Sequence, residues 1–218
     1  MAGILKVDQV QSDSNLAFAI AGSNVAFMNA TSLQMVGSNV SLAGTNVITN
    51  GKVVTSAQPV GAVLQVIQAV KTDTFSTSSE TFGNVTGLTV SITPTSSSNK
   101  ILIAGVLQTS SSSNDMYKIR IAKNGTAIFV ADTVAGATSG LSQFYLATAS
   151  SLGNWSTLPV PVYYLDSPAT TSSVTYSWQV RIQSSGNTLW INRTSDQSGN
   201  STQNFYGASS IIVMEIAA

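Results

Sequence analysis

The sequence predicts an all-β protein: an antiparallel β-sandwich or jelly-roll head over residues 61–218, preceded by a short extended N-terminal region over residues 1–60. Three observations predict it. Apolar residues recur at alternate positions, not at the three- and four-residue intervals of a helix. From Pro59 onward, turn signals punctuate the chain roughly every ten residues. One of them, Asn124-Gly125 inside MYKIRIAKNGTAIFV (residues 116–130), is the residue pair that suits the two positive-φ positions of a tight hairpin.

The N-terminal region comes first. Between Ser14 and Gly51 it carries no charged side chain, and GSNV at residues 22–25 returns at 37–40, with the variant GTNV at 44–47. The spacing is irregular, so no solenoid is implied. Val25, Phe27, Leu33, Met35, Val40, Leu42, Val47 and Ile48 arrive in short groups between Gly, Asn and Ser, the pattern of short strands joined by turns. Strands this short cannot offset their own ordering entropy and need other surfaces. Leu5, Val7, Val25, Phe27, Val40, Leu42 and Val47 are therefore the candidate oligomer or anchor contacts.

In the head, VLQVIQAV (63–70) reads as a strand and KTDTFSTSSETFGN as a polar turn. Leu88, Val90 and Ile92 then alternate with Thr89, Ser91 and Thr93 until Pro94 ends the run. KILIAGVLQTS (100–110) is a more continuously buried strand. In the hairpin, Tyr117, Ile119 and Ile121 point one way and Lys118 and Arg120 the other. Strands follow at LPVPVYYL (158–165), SVTYSWQVRIQ (173–183) and TLWINRT (188–194), the last two joined by Ser184 to Asn187. The closing SSIIVMEIAA (209–218) puts Ile212, Met214 and Ile216 on one face. Trp178 and Trp190 fall inside strand patterns and are expected in the core.

Charged residues make up 8% of the chain, against about 25% in ordinary soluble domains. The 9 basic and 9 acidic side chains cancel, so electrostatic steering of nucleic acid or anionic lipid is not supported. So little charge also gives weak colloidal protection, which suits a chain held in an assembly. With no His and no Cys, the usual triads, thiol nucleophiles and zinc sites are excluded. Asp132, Asp166 and Asp196 read as turn residues, no dense Asp-rich loop suggests calcium, and GNVTGLT (83–89) lacks the lysine and helix of a phosphate cradle. No enzyme, metal or cofactor is expected. MAGILKVDQVQSDSN lacks the apolar core of a signal peptide, and LAFAIAG (16–22) falls far short of a bilayer span. Synthesis in a cytoplasm, with no membrane partner, is the expectation.

Aromatic side chains supply the remaining candidates. Trp155, in SLGNWST, is expected to be exposed, and Tyr163-Tyr164 must place one ring on each face of their strand. All three are candidate ligand or subunit contacts, because flat rings with polar edges suit both glycans and protein partners.

ILKVDQVQS, TFGNVTGLTVSITPTSSSNKILI, RIAKNGTAI, YYLDSPATTSSVTYSWQVRI and IIVMEIAA together resemble small virion surface proteins of marine or cyanobacterial tailed bacteriophages. These are proteins of the capsid decoration, head-fibre or tail-fibre type. The resemblance covers roughly residues 60–218 and, loosely, the first dozen; residues 14–58 depart from it. It implies a homotrimer with a jelly-roll head, reminiscent of tumour-necrosis-factor-like modules, on the virion surface. The role it implies is a capsid decoration (cement) or short head-fibre protein, with a tail-fibre or tail-tip receptor-binding protein as the alternative. Expected partners are the chain's own copies, the major capsid protein or tail and portal-associated proteins, and a host surface glycan.

Overall fold

The chain divides into two compact units, Met1–Gln58 and Pro59–Ala218. The computed structural model describes residues 16–20, 23–28, 33–34, 39–42, 45–49, 52–53, 58–111, 116–132, 142–145, 157–197 and 204–218. Among them all regular structure is β, and every strand pairing is antiparallel.

The first unit holds two small sheets. In one, β1 (Leu16–Ile20), β2 (Ser23–Met28) and β3 (Leu33–Gln34) follow in sequence order; in the other, β4 (Asn39–Leu42), β5 (Thr45–Thr49) and β6 (Lys52–Val53) do the same. Gly, Asn and Ser cluster between the strands, so each connection is short and the neighbours in sequence become neighbours in space.

The second unit is built from β7 (Val63–Lys71), β8 (Phe75–Thr77), β9 (Gly83–Ile92), β10 (Lys100–Ser111), β11 (Met116–Lys123), β12 (Thr126–Ile128), β13 (Ser142–Tyr145), β14 (Leu158–Asp166), β15 (Val174–Ile182), β16 (Leu189–Ile191) and β17 (Ser209–Ile216). A first sheet runs β7-β17-β10-β16-β8, with β14 also paired to β10. A second runs β12-β11-β15-β9, with β13 also paired to β11. Their inward faces share one core, in which Ile101, Ile103, Leu107, Val160, Val162, Ile211 and Val213 of the first meet Val90, Ile92, Ile119, Ile121, Val174 and Trp178 of the second. This is the sandwich that the alternating pattern predicts.

Three large polar aromatics lie in that core, and each resolves its polar atom by bonding across to the other sheet. Trp178 Nε1 donates to the Ser210 carbonyl at 3.1 Å, the Tyr117 hydroxyl pairs with Thr109 Oγ1 at 2.8 Å, and Tyr176 donates to Asp166 Oδ2 at 2.7 Å. A buried hydroxyl or indole without a partner costs a desolvation penalty, so these bonds fix how the two sheets lie on each other. Gly105 makes the tryptophan bond possible: a Cβ there would stand 2.5 Å from the same Ser210 carbonyl oxygen.

The hairpin forms at Asn124 and Gly125, with φ of 49° and 82°. Four readings of the sequence change. The segment read as a polar turn contains β8 and the start of β9, because Phe75 packs against the core and β8 pairs with β16. Asp166 is not a turn residue: it ends β14, is buried, and accepts both Tyr176 and the Lys123 ammonium, whose Nζ lies 3.0 Å from each carboxylate oxygen. Trp190 is half-buried and outside the core, since Leu189 and Ile191 on either side of it are the buried residues of β16. The strand itself stops at Ile191, where Asn192 turns to a φ of 64°. There, fully buried, it donates to the carbonyls of Lys71 and Asp73 and accepts the Ser209 hydroxyl.

Candidate interaction surface

Two strands buried on both faces read as continuous apolar runs, whereas strands with one wet face alternate. The two sheets differ in this respect. In β9, buried Val85, Leu88, Val90 and Ile92 are separated by exposed Thr86, Thr89 and Ser91, so the second sheet turns hydroxyls outward there. In the first sheet most outward positions are themselves apolar.

Register makes that face explicit. Val66, Met214, Leu102 and Leu165 lie side by side across β7, β17, β10 and β14. The next outward row is Gln68, Ile212, Ala104 and Tyr163, and the third is Val70, Ser210, Val106 and Pro161. None of the twelve is charged. Val66, Val70 and Leu165 are 55%, 55% and 51% exposed, and Tyr163 is 73% exposed, and it is their contiguity rather than any one exposure that marks the face. Four strands about 4.8 Å apart, each rising about 3.3 Å per residue, make this face roughly 400 Å² in projection before side-chain relief is counted. That is the scale of a contact surface, not of scattered exposure.

Charge appears only at the margins of the three rows. Lys100, next along β10, donates to Ser167 Oγ, and beyond the far end Arg193 lies over the Trp190 ring at 5.1 Å. The acids on these strands point inward: Glu215 and Asp166 are buried. An ion-free face of this kind selects neither nucleic acid nor a charged peptide; it matches another ion-free face.

Of the residues singled out from sequence, Tyr163 belongs to this face, between Pro161 and Leu165 on β14. Tyr164 turns to the other side, packs against the core and stacks on Phe129 with ring centroids 4.7 Å apart. Val25 and Phe27 fall in β2, Val40 and Leu42 in β4, and Val47 in β5. Leu5, Val7 and Trp155 lie outside the described residues. Sequence reasoning missed Val66, Val70, Leu102, Val106 and Leu165 as surface residues. Their signal was present, since VLQVIQAV, KILIAGVL and LPVPVYYL carry apolar residues at odd and even positions alike. Among the described residues no cluster of three or more His, Cys, Asp or Glu could hold a metal ion, and no helix is long and apolar enough to cross a membrane.

No protein-family model and no curated protein matches the chain. Among solved structures it is similar to one titled "Structure of infectious bursal disease virus Gx strain", at 11% sequence identity and a TM-score of 0.33, over 94% of this chain and 42% of that one. The chain thus spans less than half the length of that neighbour.

Proposed function

We propose that the protein is a non-enzymatic structural component of a tailed-phage virion. In this reading it is a homotrimeric capsid decoration (cement) or short head-fibre protein at the virion surface, made in the cytoplasm of the host bacterium. The observation that carries the assembly role is the uncharged outward face of the first sheet, which a second copy of the chain would cover. Around a threefold axis, each copy turns its Val66, Met214, Leu102 and Leu165 row toward its neighbours and removes that surface from water. The sequence resemblance to phage surface proteins supports the virion setting, and the low charge of the whole chain suits permanent residence in an assembly. The fold, in two sheets and a shared core, serves as a rigid block for presenting that face.

Sedimentation of the purified chain tests the assembly. The expected mass is three chains for the native protein and one chain for a Leu102→Lys, Met214→Lys double variant with unchanged far-ultraviolet circular dichroism. A native protein that sediments as a single chain at all accessible concentrations sinks the proposal. Imaging of the intact particle then assigns the location, on the head shell beside the major capsid protein or at the tail.

A tail-fibre or tail-tip receptor-binding protein is the second reading. It is favoured by Tyr163, whose exposed ring sits between two exposed apolar neighbours as a platform for a sugar face. Binding on a glycan array that Tyr163→Ala abolishes would move the assignment to the tail.

A further inference from the structure

The outward face of the second sheet gathers three of the chain's nine cationic side chains. Lys118 on β11 stands directly opposite Arg181 on β15, and Arg120, two residues further along β11, stands opposite Gln179. Like charges directly across a strand pair are destabilising, and among the described residues no acid pairs with them: the ion pairs there are Lys71 with Asp73 and Lys123 with Asp166.

The surrounding polar groups are neutral and hold the arginines in place. Arg120 Nε donates to Gln179 Oε1 at 2.7 Å, while Gln179 and Ser177 both donate to Asn84 Oδ1. Arg181 Nη2 donates to Gln183 Oε1 at 2.8 Å. Phe82 sits beneath both guanidinium groups, 3.8 Å from that of Arg120 and 5.7 Å from that of Arg181. Stacking on a ring engages a guanidinium through its face and leaves in-plane N–H groups for an acceptor.

One donor remains unanswered. Arg181 Nε is buried without an acceptor, and Lys118, 5% exposed, stands across the strand pair from it. A buried donor left without an acceptor carries a desolvation cost that an acceptor would relieve. Burial, and after it the neighbouring Arg181, already holds the Lys118 pKa below the ordinary lysine value. A negative charge among the three would oppose both effects.

We propose that Lys118, Arg120 and Arg181 form a binding site for a small oxyanion, a phosphate or carboxylate group, on the outward face of the second sheet. The site is separate from the apolar face and does not depend on it. Fixed arginine planes suit the planar or tetrahedral oxygens of such a group, and the Lys118 ammonium supplies a point charge beside them. Because Lys118 is so covered, the anionic group must be small or borne at the end of a longer ligand.

Thermal unfolding of the full chain at matched ionic strength tests this, with inorganic phosphate, glucuronate, sodium chloride and neutral glucose as separate arms. Near one hundred times its Kd, a bound anion raises Tm by about 5 °C or more. Phosphate alone acting identifies a phosphate ligand; glucuronate alone acting identifies a sugar acid; either supports the site. Lys118→Met and Arg181→Gln, made separately so that one folding failure does not end the test, should each reduce the shift at least severalfold. Equal Tm in phosphate, glucuronate and chloride, or variants that respond as the native chain does, overturns the proposal.

Discussion

Asn99 and Glu215 meet through a 2.7 Å hydrogen bond, Nδ2 to Oε1, although 116 residues separate them. Glu215 is fully buried on the inner side of β17, yet it has no ion-pair partner among the described residues. Its oxygens also accept Gln65 Nε2 at 2.6 Å, the Thr95 amide at 2.6 Å and the Thr95 hydroxyl at 2.8 Å. Neutral donors thus tie the loop after β9 and the start of β7 to the last strand.

The pH dependence follows from that arrangement. Burial raises the Glu215 pKa, but the bonds from Asn99, Gln65 and Thr95 outweigh it and hold the carboxyl below its ordinary 4.5. The unfolded chain therefore takes up the proton first, so the stabilisation is complete above about pH 4.5 and is lost as pH falls through the lower folded value. Glu215→Gln should flatten the acid limb of Tm against pH. At neutral pH it should cost about 1–3 kcal/mol, because donors that faced a carboxylate lose it. An acid limb identical to that of the native chain would show that other groups govern acid unfolding.

At the alkaline end the tyrosines take over. Burial pushes the Tyr117 phenol up to about 12 from 10.0, against a smaller opposing effect of its bond to Thr109. Burial, with the adjoining Asp166 carboxylate, pushes Tyr176 up as well. The unfolded chain loses these protons near pH 10, so stability falls as pH rises from there toward the folded values. Ultraviolet titration should show two phenols that ionise only as the protein unfolds, and Tyr117→Phe should remove one of them. Full ionisation of all tyrosines in a still-folded chain contradicts this.

Gly105→Ala should be among the most damaging small substitutions. Its methyl carbon would meet the Ser210 carbonyl oxygen at 2.5 Å, a backbone atom that cannot swing away and that also receives Trp178 Nε1. A loss of about 1–3 kcal/mol in urea denaturation is expected. Gly125→Ala, with open space around the same atom, should suffer only from its φ of 82°. Equal costs at the two positions would remove the steric argument.

The outward apolar face predicts a stability tied to concentration. If copies cover it, Tm must rise with protein concentration, since association stabilises the folded state by mass action. The Leu102→Lys, Met214→Lys variant should show a flat dependence. A native chain with the same flat dependence across a hundredfold dilution series would mean the face stays open to water.

Most of the sandwich was legible in the sequence because alternation and turn chemistry are local. Asn124-Gly125 specified its hairpin, and Leu88, Val90 and Ile92 declared the inner face of β9. β8 was not legible: three residues amid threonines and serines become a strand only because β16, over a hundred positions later, supplies the edge. Trp190 was misplaced for a related reason, since periodicity assigns a residue to a strand and not to a side of the finished sheet, and Asp166 because an acid just past an apolar run reads as a turn when its partners Tyr176 and Lys123 lie on other strands. The interaction face lay partly in view. Its strands read as apolar throughout, but only cross-strand register sets Leu102 beside Met214 and Leu165 as one surface. Nor could local pattern reveal that Lys118 would face Arg181, which depends on how two distant strands align.

The place of β17 in the first sheet has a consequence for biogenesis. It lies between β7 and β10, the first and third long strands of the unit to leave the ribosome, and is itself made after all of them. Until it emerges, β7 has no neighbour in that sheet and its Val66 and Val70 edge stays unzipped. A nascent chain must therefore hold a sticky, half-built layer through most of its synthesis, and closing the gap between β7 and β10 is a single late step.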